Sequence, residues 1–181
     1  MPNWVSNTMI VKGDADSLRA FREQAALEYE LPFGGKNEKQ LSFWNFVRPE
    51  DPEGYQNNWY DWNLKHWGCK WDAGEIVVEH EDGQLGYHFE TPWSHPLEFF
   101  QAVASLFPEL DFSIRFLEEQ GWGGEALGHD GKLGIVKEWE IPMTHGERME
   151  HVGYCHCEEM GDDEAEWMYE DCPRKKELAN A

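Results

Sequence analysis

Residues 75–117 read EIVVEHEDGQLGYHFETPWSHPLEFFQAVASLFPELDFSIRFL, and this stretch decides the fold. Its first part consists of two runs, EIVVEH and LGYHFET, in which apolar and polar residues alternate at a period of two. Asp82-Gly83 stands between the runs and is a common turn pair in hairpins. The pattern therefore predicts a β-hairpin over residues 75–91.

The second part of the stretch predicts a helix followed by a strand. Ser94 is placed to cap a helix whose apolar residues recur at helical spacing between Leu97 and Phe107, and Pro108 ends it. Residues 111–117 (DFSIRFL) then alternate again, which indicates a third strand.

Similar patterns extend outward from this stretch in both directions. Residues 6–12 predict a first strand, and Leu18, Phe21 and Ala25 after a capping Asp14 or Asp16 predict a helix. The apolar residues 41–47 indicate a strand or a buried extended segment, and residues 60–67 a short helix. Residues 125–128 are expected to pair with residues 132–140 across a turn at 129–131.

This order of elements predicts an α+β fold, a ferredoxin-like split βαβ sheet with helices packed on one face. We expect the domain to span residues 1–140, with a Trp-rich helical insertion around residues 48–73. Residues 141–181 are expected to form an irregular, acidic extension that contains cysteine and histidine.

The chain is strongly acidic, with 36 Asp and Glu against 15 Lys and Arg in 181 residues, a formal charge of −21. Such a charge disfavours direct binding to nucleic acid or to an anionic membrane, since both require basic residues. Residues 146–172 hold ten acids and a single base, Arg148. Neither a signal peptide nor a membrane-spanning stretch is visible, so we expect a soluble, cytoplasmic protein.

Three segments carry a resemblance to a known family: MPNWVSN at residues 1–7, WYDWNLKHWGCKWDA at residues 59–73 and FETPWSHPLEFFQAVASLFPELDF at residues 89–112. Together with GGE at residues 123–125 and EDCP at residues 170–173, they resemble the YubB-like proteins of phages and conjugative plasmids. The resemblance implies a ferredoxin-like domain and an origin in a mobile element of a bacterial host. It implies no catalytic residues.

An aromatic cluster lies within residues 59–71 and comprises Trp59, Tyr60, Trp62, Trp67 and Trp71. Aromatic rings of this kind stack on bases in single-strand binders, but those proteins also have a basic groove. Because residues 59–73 hold two lysines against two aspartates, packing in the core is the favoured interpretation. That some of the rings line a groove for a partner stays open.

The best candidate for a metal site is in the C-terminal extension. Zinc prefers four thiolate or imidazole ligands, and Cys155, Cys157 and Cys172 offer three thiols. We expect His151 as the fourth ligand, with His145, His156 and Cys69 as alternatives. A structural zinc would stabilise a segment that is too polar to fold around its own core; three unrelated thiols on a flexible tail are the other interpretation.

No catalytic motif is found, and we predict a non-enzymatic interaction protein with no catalytic residues. It would bind and inhibit a basic, nucleic-acid-binding host protein, such as a defence or replication factor, and its carboxylates could imitate the phosphates of DNA. The residues expected to contact the partner are acidic: Glu158, Glu159, Asp162, Asp163, Glu164 and Glu166. The alternatives are a metal-dependent hydrolase of nucleotides or phosphodiesters and a zinc-stabilised structural module.

Overall fold

The computed structural model describes residues 2–30 and 34–179, and it contains one large and one small antiparallel sheet. The strands, in chain order, are β1 (Trp4–Lys12), β2 (Tyr29–Glu30), β3 (Lys36–Asn37), β4 (Gly74–Glu81), β5 (Gln84–Pro92), β6 (Asp111–Glu118), β7 (Gly123–His129) and β8 (Lys132–Trp139). The large sheet has the spatial order β4–β5–β1–β6–β7–β8, and β2 pairs with β3 alone.

Five α-helices accompany the strands: α1 (Ala15–Ala25), α2 (Pro52–Trp67), α3 (Leu97–Leu106), α4 (His145–His151) and α5 (Pro173–Ala179). The order β1-α1-β4-β5-α3-β6 is the split βαβ arrangement, in which β1 pairs antiparallel with both β5 and β6. The ferredoxin-like α+β fold that the sequence predicts is thus the observed one. The chain between α1 and β4 is an insertion into it, and β7 and β8 extend the sheet.

Burial alternates along the central strand, so the sheet has one buried and one more open face. Val5, Met9 and Val11 are buried on β1, and the neighbouring Ser6 and Lys12 are exposed. The helices α1 and α3 contribute Phe21 and Phe100 to the same core. One apolar face of the sheet is therefore covered by helices, as a layered α+β domain requires.

Two local predictions differ from the structure. Residues 41–47 are mostly buried, as expected, but they do not form a strand: Phe43–Asn45 is a 3-10 helix, and the amide of Ser42 donates to the carbonyl of Ala25 at the end of α1 (3.2 Å). Ser94 does not cap α3, whose N-cap is Pro96. Its hydroxyl instead donates a hydrogen bond to the carbonyl of Gly68 (2.6 Å), which joins the end of α2 to the start of α3.

The extension after residue 140 has more regular structure than expected. It contains α4, α5 and two 3-10 helices, at His156–Glu158 and Asp162–Trp167. A capping box at Thr144 and Glu147 starts α4. Arg148 donates from α4 to the carbonyl of Gln120 (3.1 Å), which attaches the extension to the end of β6.

The half-buried His95 makes the stability of the fold depend on pH. Its ring lies flat on the ring of Phe116, with the ring centroids 3.8 Å apart. Both ring nitrogens are buried and have no hydrogen-bond partner among the described residues. Burial lowers the pKa of His95 to about 4 from its ordinary 6.5. As the pH falls, the unfolded chain therefore binds a proton at His95 before the folded protein does. The contribution of neutral His95 to the free energy of unfolding is lost as the pH falls from about 6.5 to about 4.

We expect His95→Phe to remove this part of the pH dependence, because phenylalanine keeps the stacking and has no proton to bind. The wild-type free energy of unfolding should fall faster than that of the variant below pH 6.5, by no more than about 1.4 kcal/mol per pH unit. Urea unfolding at several pH values measures the difference. The exposed His80 gives the control His80→Gln; identical profiles for wild type and His95→Phe would contradict the prediction.

Candidate functional site

Aromatic side chains line a cavity of about 600 Å³ within the insertion between α1 and β4. The rings come from four places in the chain: β2, the 3-10 helix Phe43–Asn45, α2 and the loop before β4. They are Tyr29, Trp44, Tyr55, Trp59, Trp67 and Trp71. Tyr29 stacks on Trp44 with an interplanar angle of 16°, and Tyr55 meets Trp44 edge-on at 5.0 Å. Part of the predicted aromatic cluster thus lines an opening as well as packing in the core.

The spacing of residues along α2 explains one wall of the cavity. Trp59, Asn63 and Trp67 follow one another at intervals of four, which places them on one side of the helix, and Tyr55 lies before a kink at Asn58, whose backbone is not helical. Asp51 caps the helix by accepting hydrogen bonds from the amides of residues 53 and 54. The helix therefore begins at residue 52, eight residues before the predicted start at residue 60. Tyr55 and Trp59 lie in this additional part of the helix.

Asp72 lines the cavity and is held in place by three hydrogen bonds. Its carboxylate accepts hydrogen bonds from the hydroxyl of Ser42 (2.6 Å) and from the backbone amides of Phe43 (2.7 Å) and Ala73 (2.8 Å). Burial raises the pKa of Asp72, and the charge of Lys39 and these hydrogen bonds oppose that shift. The carboxylate thereby joins the 3-10 helix of the insertion to the chain entering β4.

Two asparagines bring unpaired polar atoms to the cavity. Asn37 and Asn63 both line it, and each is only 3% exposed. The side-chain amide nitrogen of Asn63 donates to the carbonyl of Lys70 (2.9 Å), and the same side chain also interacts with the hydroxyl of Tyr55. Among the described residues, neither Asn63 Oδ1 nor Asn37 Nδ2 has a hydrogen-bond partner. Buried polar groups of this kind are normally paired with protein atoms or ordered water, so these two atoms are candidates for a partner that the chain itself does not supply.

A second candidate site lies in the C-terminal extension. The ligand atoms of His145, Cys155 and Cys157 are all within 4.8 Å of one another. Both thiols are buried, and Nδ1 of His145 is buried without a partner among the described residues. Two thiols and an imidazole that converge in this way form a possible metal-binding group.

Neither of the other two predicted metal ligands, Cys172 and His151, belongs to this converging group. Cys172 is buried in the same small apolar cluster as Cys155 and Cys157. The ring of His151 instead stacks on Trp139, with the centroids 4.8 Å apart, and its carbonyl accepts a hydrogen bond from Arg115. It is thus His145, the first residue of α4, that the structure places beside the two thiols.

Asp171 holds His145 in place through the backbone. Its carboxylate accepts hydrogen bonds from the amides of His145 (2.7 Å) and Gly146 (3.0 Å) at the start of α4. These bonds lower the pKa of Asp171, with the amide of Gly146 contributing most. Because Asp171 directly precedes Cys172, this contact also connects the two ends of the extension.

The acidic residues proposed for partner binding are all exposed: Glu158, Glu159, Asp162, Asp163, Glu164 and Glu166. Two of them also make internal contacts. Asp162 pairs with Arg174 of α5 (3.0 Å), and Glu164 accepts from the amide of Gly161 (2.9 Å). Trp167, at the end of the same 3-10 helix, is 71% exposed. Carboxylates and one large ring therefore share this surface.

Sequence reasoning missed Asn37 and Asn63 as site residues. The repeat of Trp59, Asn63 and Trp67 could have revealed Asn63, had the helix been extended back to its cap at Asp51. No local signal marks Asn37, which lies in a two-residue strand. His145 was one of several alternatives for a ligand, and only its contact with the distant Asp171 separates it from them.

The fold and these sites define a ferredoxin-like α+β protein with a helical insertion. A family model described as the ferredoxin-like domain in Api92-like protein matches residues 66–158, which is more than half of the chain. The chain belongs to this family of Api92-like proteins. The match includes β4 to β8, α3 and α4, together with Cys155 and Cys157.

One solved structure is similar in fold, the crystal structure of the protein Api92 from Yersinia pseudotuberculosis. It shares 11% sequence identity with this chain, and the alignment has a TM-score of 0.47 over 78% of this chain and 99% of that one. No curated protein matches the sequence. Within residues 2–30 and 34–179, no helix is both long enough and apolar enough to span a membrane.

We expect Asp72→Ala to destabilise the protein. The change leaves the amide of Phe43 and the hydroxyl of Ser42 without this acceptor, which should lower the free energy of unfolding by about 2 kcal/mol. Urea unfolding at neutral pH measures the effect, with the exposed Asp61→Ala as control. If the two variants were equally stable, Asp72 would not hold the insertion.

Proposed function

We propose that this protein is a non-enzymatic interaction protein that uses the acidic surface of its C-terminal extension. The partner would be a basic, nucleic-acid-binding protein of the host cell, which the acidic surface would inhibit by occupying its phosphate-binding site. The observation that carries the proposal is the exposure of all six carboxylates of residues 158–166 on a segment that has its own buried cluster. Carboxylates on an ordered segment keep their spacing, as imitation of DNA requires.

The internal contacts of the extension support such an ordered surface. Arg174 donates to the carbonyl of Glu158 (3.0 Å) as well as to Asp162, so α5 is attached to the acidic 3-10 helices. Tyr169 donates through its hydroxyl to the carbonyl of Pro142 (3.1 Å), which attaches the same region to the start of the extension. Long-range attraction by this surface would make association with a basic partner fast and dependent on salt.

Zinc is the metal that the grouped ligands suit best, and we propose it as a structural element of the extension. His145, Cys155 and Cys157 provide the nitrogen and sulfur donors that structural zinc sites use, and Cys172 is the fourth candidate. Bound zinc would hold together residues that are separated by up to 27 positions. The buried, unpaired Nδ1 of His145 is consistent with such a ligand.

The hydrolase alternative has less support from the same residues. Hydrolytic metal sites keep an open position for water, and two buried thiolates with one imidazole are more typical of structural zinc. Among the described residues, His129 and Asp111 form a close histidine–carboxylate pair (2.5 Å) at a turn where His129 is 74% exposed. The hydrogen bond that His129 donates to the carboxylate of Asp111 raises the pKa of His129, and both residues line a cavity of about 250 Å³, but the pair stays exposed to water.

The setting of the function also remains a proposal. The segments that resemble YubB-like proteins support an origin in a phage or a plasmid, and therefore a place in the cytoplasm of a bacterial host. A protein made by a mobile element would benefit from inhibiting a defence or replication factor of that host.

We expect the purified protein to carry one zinc ion, and Cys157→Ser to lose it. Native and denaturing mass spectrometry of the same sample measure the bound metal directly. Cys69→Ser is the matched control, because Cys69 is a buried thiol in the main core, outside the group of His145, Cys155 and Cys157. Equal native and denatured masses for the wild type would refute the zinc proposal, and retention of zinc by Cys172→Ser would exclude Cys172 as a ligand.

We expect reversal of four surface carboxylates, Glu158, Glu159, Asp163 and Glu166, to Lys to abolish partner binding without unfolding the domain. Surface substitutions of this kind usually change stability by no more than about 0.5 kcal/mol. The control reverses four exposed acids outside the extension, Glu23, Glu28, Glu53 and Glu109.

The measurement is capture of host proteins on each immobilised variant at about 0.05 M and about 0.5 M salt, with duplex DNA as competitor. The proposal predicts that a basic protein is retained at low salt by the wild type and the control, and is released by DNA. Equal capture by both reversed variants, or capture that DNA does not affect, would show that the acidic surface is not the binding site.

A further inference from the structure

The aromatic cavity has the size and lining of a small-molecule site, and it is made of other residues than the acidic surface. Its volume of about 600 Å³ lies within the range of about 300–1,000 Å³ that is usual for ligand pockets. The lining combines aromatic rings with a few polar groups, as such pockets do. Trp71 is 40% exposed, so at least one ring is accessible from solvent.

The two asparagines specify what kind of ligand the cavity fits. Asn37 Nδ2 is a buried donor and Asn63 Oδ1 a buried acceptor, and both lack a partner among the described residues. A ligand that pairs both atoms must offer an acceptor and a donor while its body packs against aromatic rings. The edge of a nucleobase carries both kinds of group on a flat ring that stacks well on Trp and Tyr.

Two basic and two acidic side chains line the cavity: Lys36 and Lys39, and Glu38 and Asp72. Lys39 donates to the carbonyl of Ala73 (2.6 Å), while Lys36 is exposed and forms no ion pair among the described residues. The carboxylate of Asp72 is already occupied by Ser42, Phe43 and Ala73. A phosphate near Lys36 would therefore meet a free ammonium group.

Two other classes of ligand use these groups less completely. A quaternary ammonium ion also binds aromatic rings, but it forms no hydrogen bonds to Asn37 or Asn63. A neutral sugar could pair with the asparagines, but it would leave the lysines without a role. The combination of rings, an unpaired donor and acceptor, and a free lysine matches a base joined to a phosphate.

We propose that the aromatic cavity binds a mononucleotide. Its base packs against the rings of α2 and of the loop before β4, and its polar edge pairs with Asn37 and Asn63. Its phosphate lies beside Lys36. Binding of a single free nucleotide differs from binding of a nucleic acid strand, which the charge of −21 disfavours.

The test is isothermal titration calorimetry of the full chain with AMP, GMP, CMP and UMP, each also as the nucleoside. Asn37→Asp replaces the buried donor with an acceptor of the same shape. It should weaken nucleotide and nucleoside alike, by about tenfold. Lys36→Gln should weaken the nucleotide by about fivefold and leave the nucleoside unchanged. Lys12→Gln, at an exposed lysine of β1, is the matched control and should change neither.

The aromatic contact is tested with Trp71→Ala, for which Trp93→Ala is the control because Trp93 is also exposed and does not line the cavity. Circular dichroism establishes whether each variant is folded. If Asn37→Asp does not fold, Lys36→Gln still tests the proposal, because Lys36 is exposed. Absence of binding by all four nucleotides at about 1 mM would overturn the proposal. So would binding of tetramethylammonium or maltotriose in their place, or nucleotide binding that neither Asn37→Asp nor Trp71→Ala affects.

Discussion

The apolar face of the central strands has to be covered, and this requirement determines how the rest of the chain is arranged. Val5, Met9 and Val11 of β1 lie between β5 and β6, and α1 and α3 cover them from one side only. The insertion takes part in the same core, because Phe43 stacks on Phe99 of α3 with the ring centroids 4.0 Å apart. Removal of these rings from water is the main favourable contribution to folding.

The position of Phe43 has a consequence for the cavity. Once Phe43 is anchored in the core, its amide and the adjacent Ser42 reach Asp72, and the neighbouring Trp44 faces Tyr29 and Tyr55. The cavity therefore lies between a part of the insertion held by the core and a helix that packs beside it. Its rings are positioned by the fold as well as by contacts among themselves, which is what a preformed binding site requires.

The C-terminal extension has a different basis for its structure. Its buried cluster consists of three cysteines and Met168, with a few partly buried neighbours, which is small for a segment so rich in carboxylates. Backbone contacts of Asp171 and side-chain contacts of Arg174 and Tyr169 hold its turns together. A bound metal would add the stabilisation that so small a core cannot provide, while leaving the carboxylates on the outside.

Local patterns in the sequence determined most of the secondary structure and the fold class. The alternation around Asp82-Gly83 produced the observed hairpin β4–β5, and the helical spacing of Leu18, Phe21 and Ala25 produced α1. These signals succeed because burial on one face imposes a period on neighbouring residues. They fail for residues 41–47, since an apolar run does not show whether a strand is available to pair with it.

Only the tertiary structure decided which distant residues meet. Asn37 and Asn63 share one cavity, and His145 rather than His151 lies beside Cys155 and Cys157 because Asp171 binds the start of α4. The acidic charge of the chain was evident from composition, but its exposure on an ordered extension was not. The physical reason is the same in each case: periodicity reports on a residue's immediate neighbours, whereas a site depends on contacts between residues far apart in the chain.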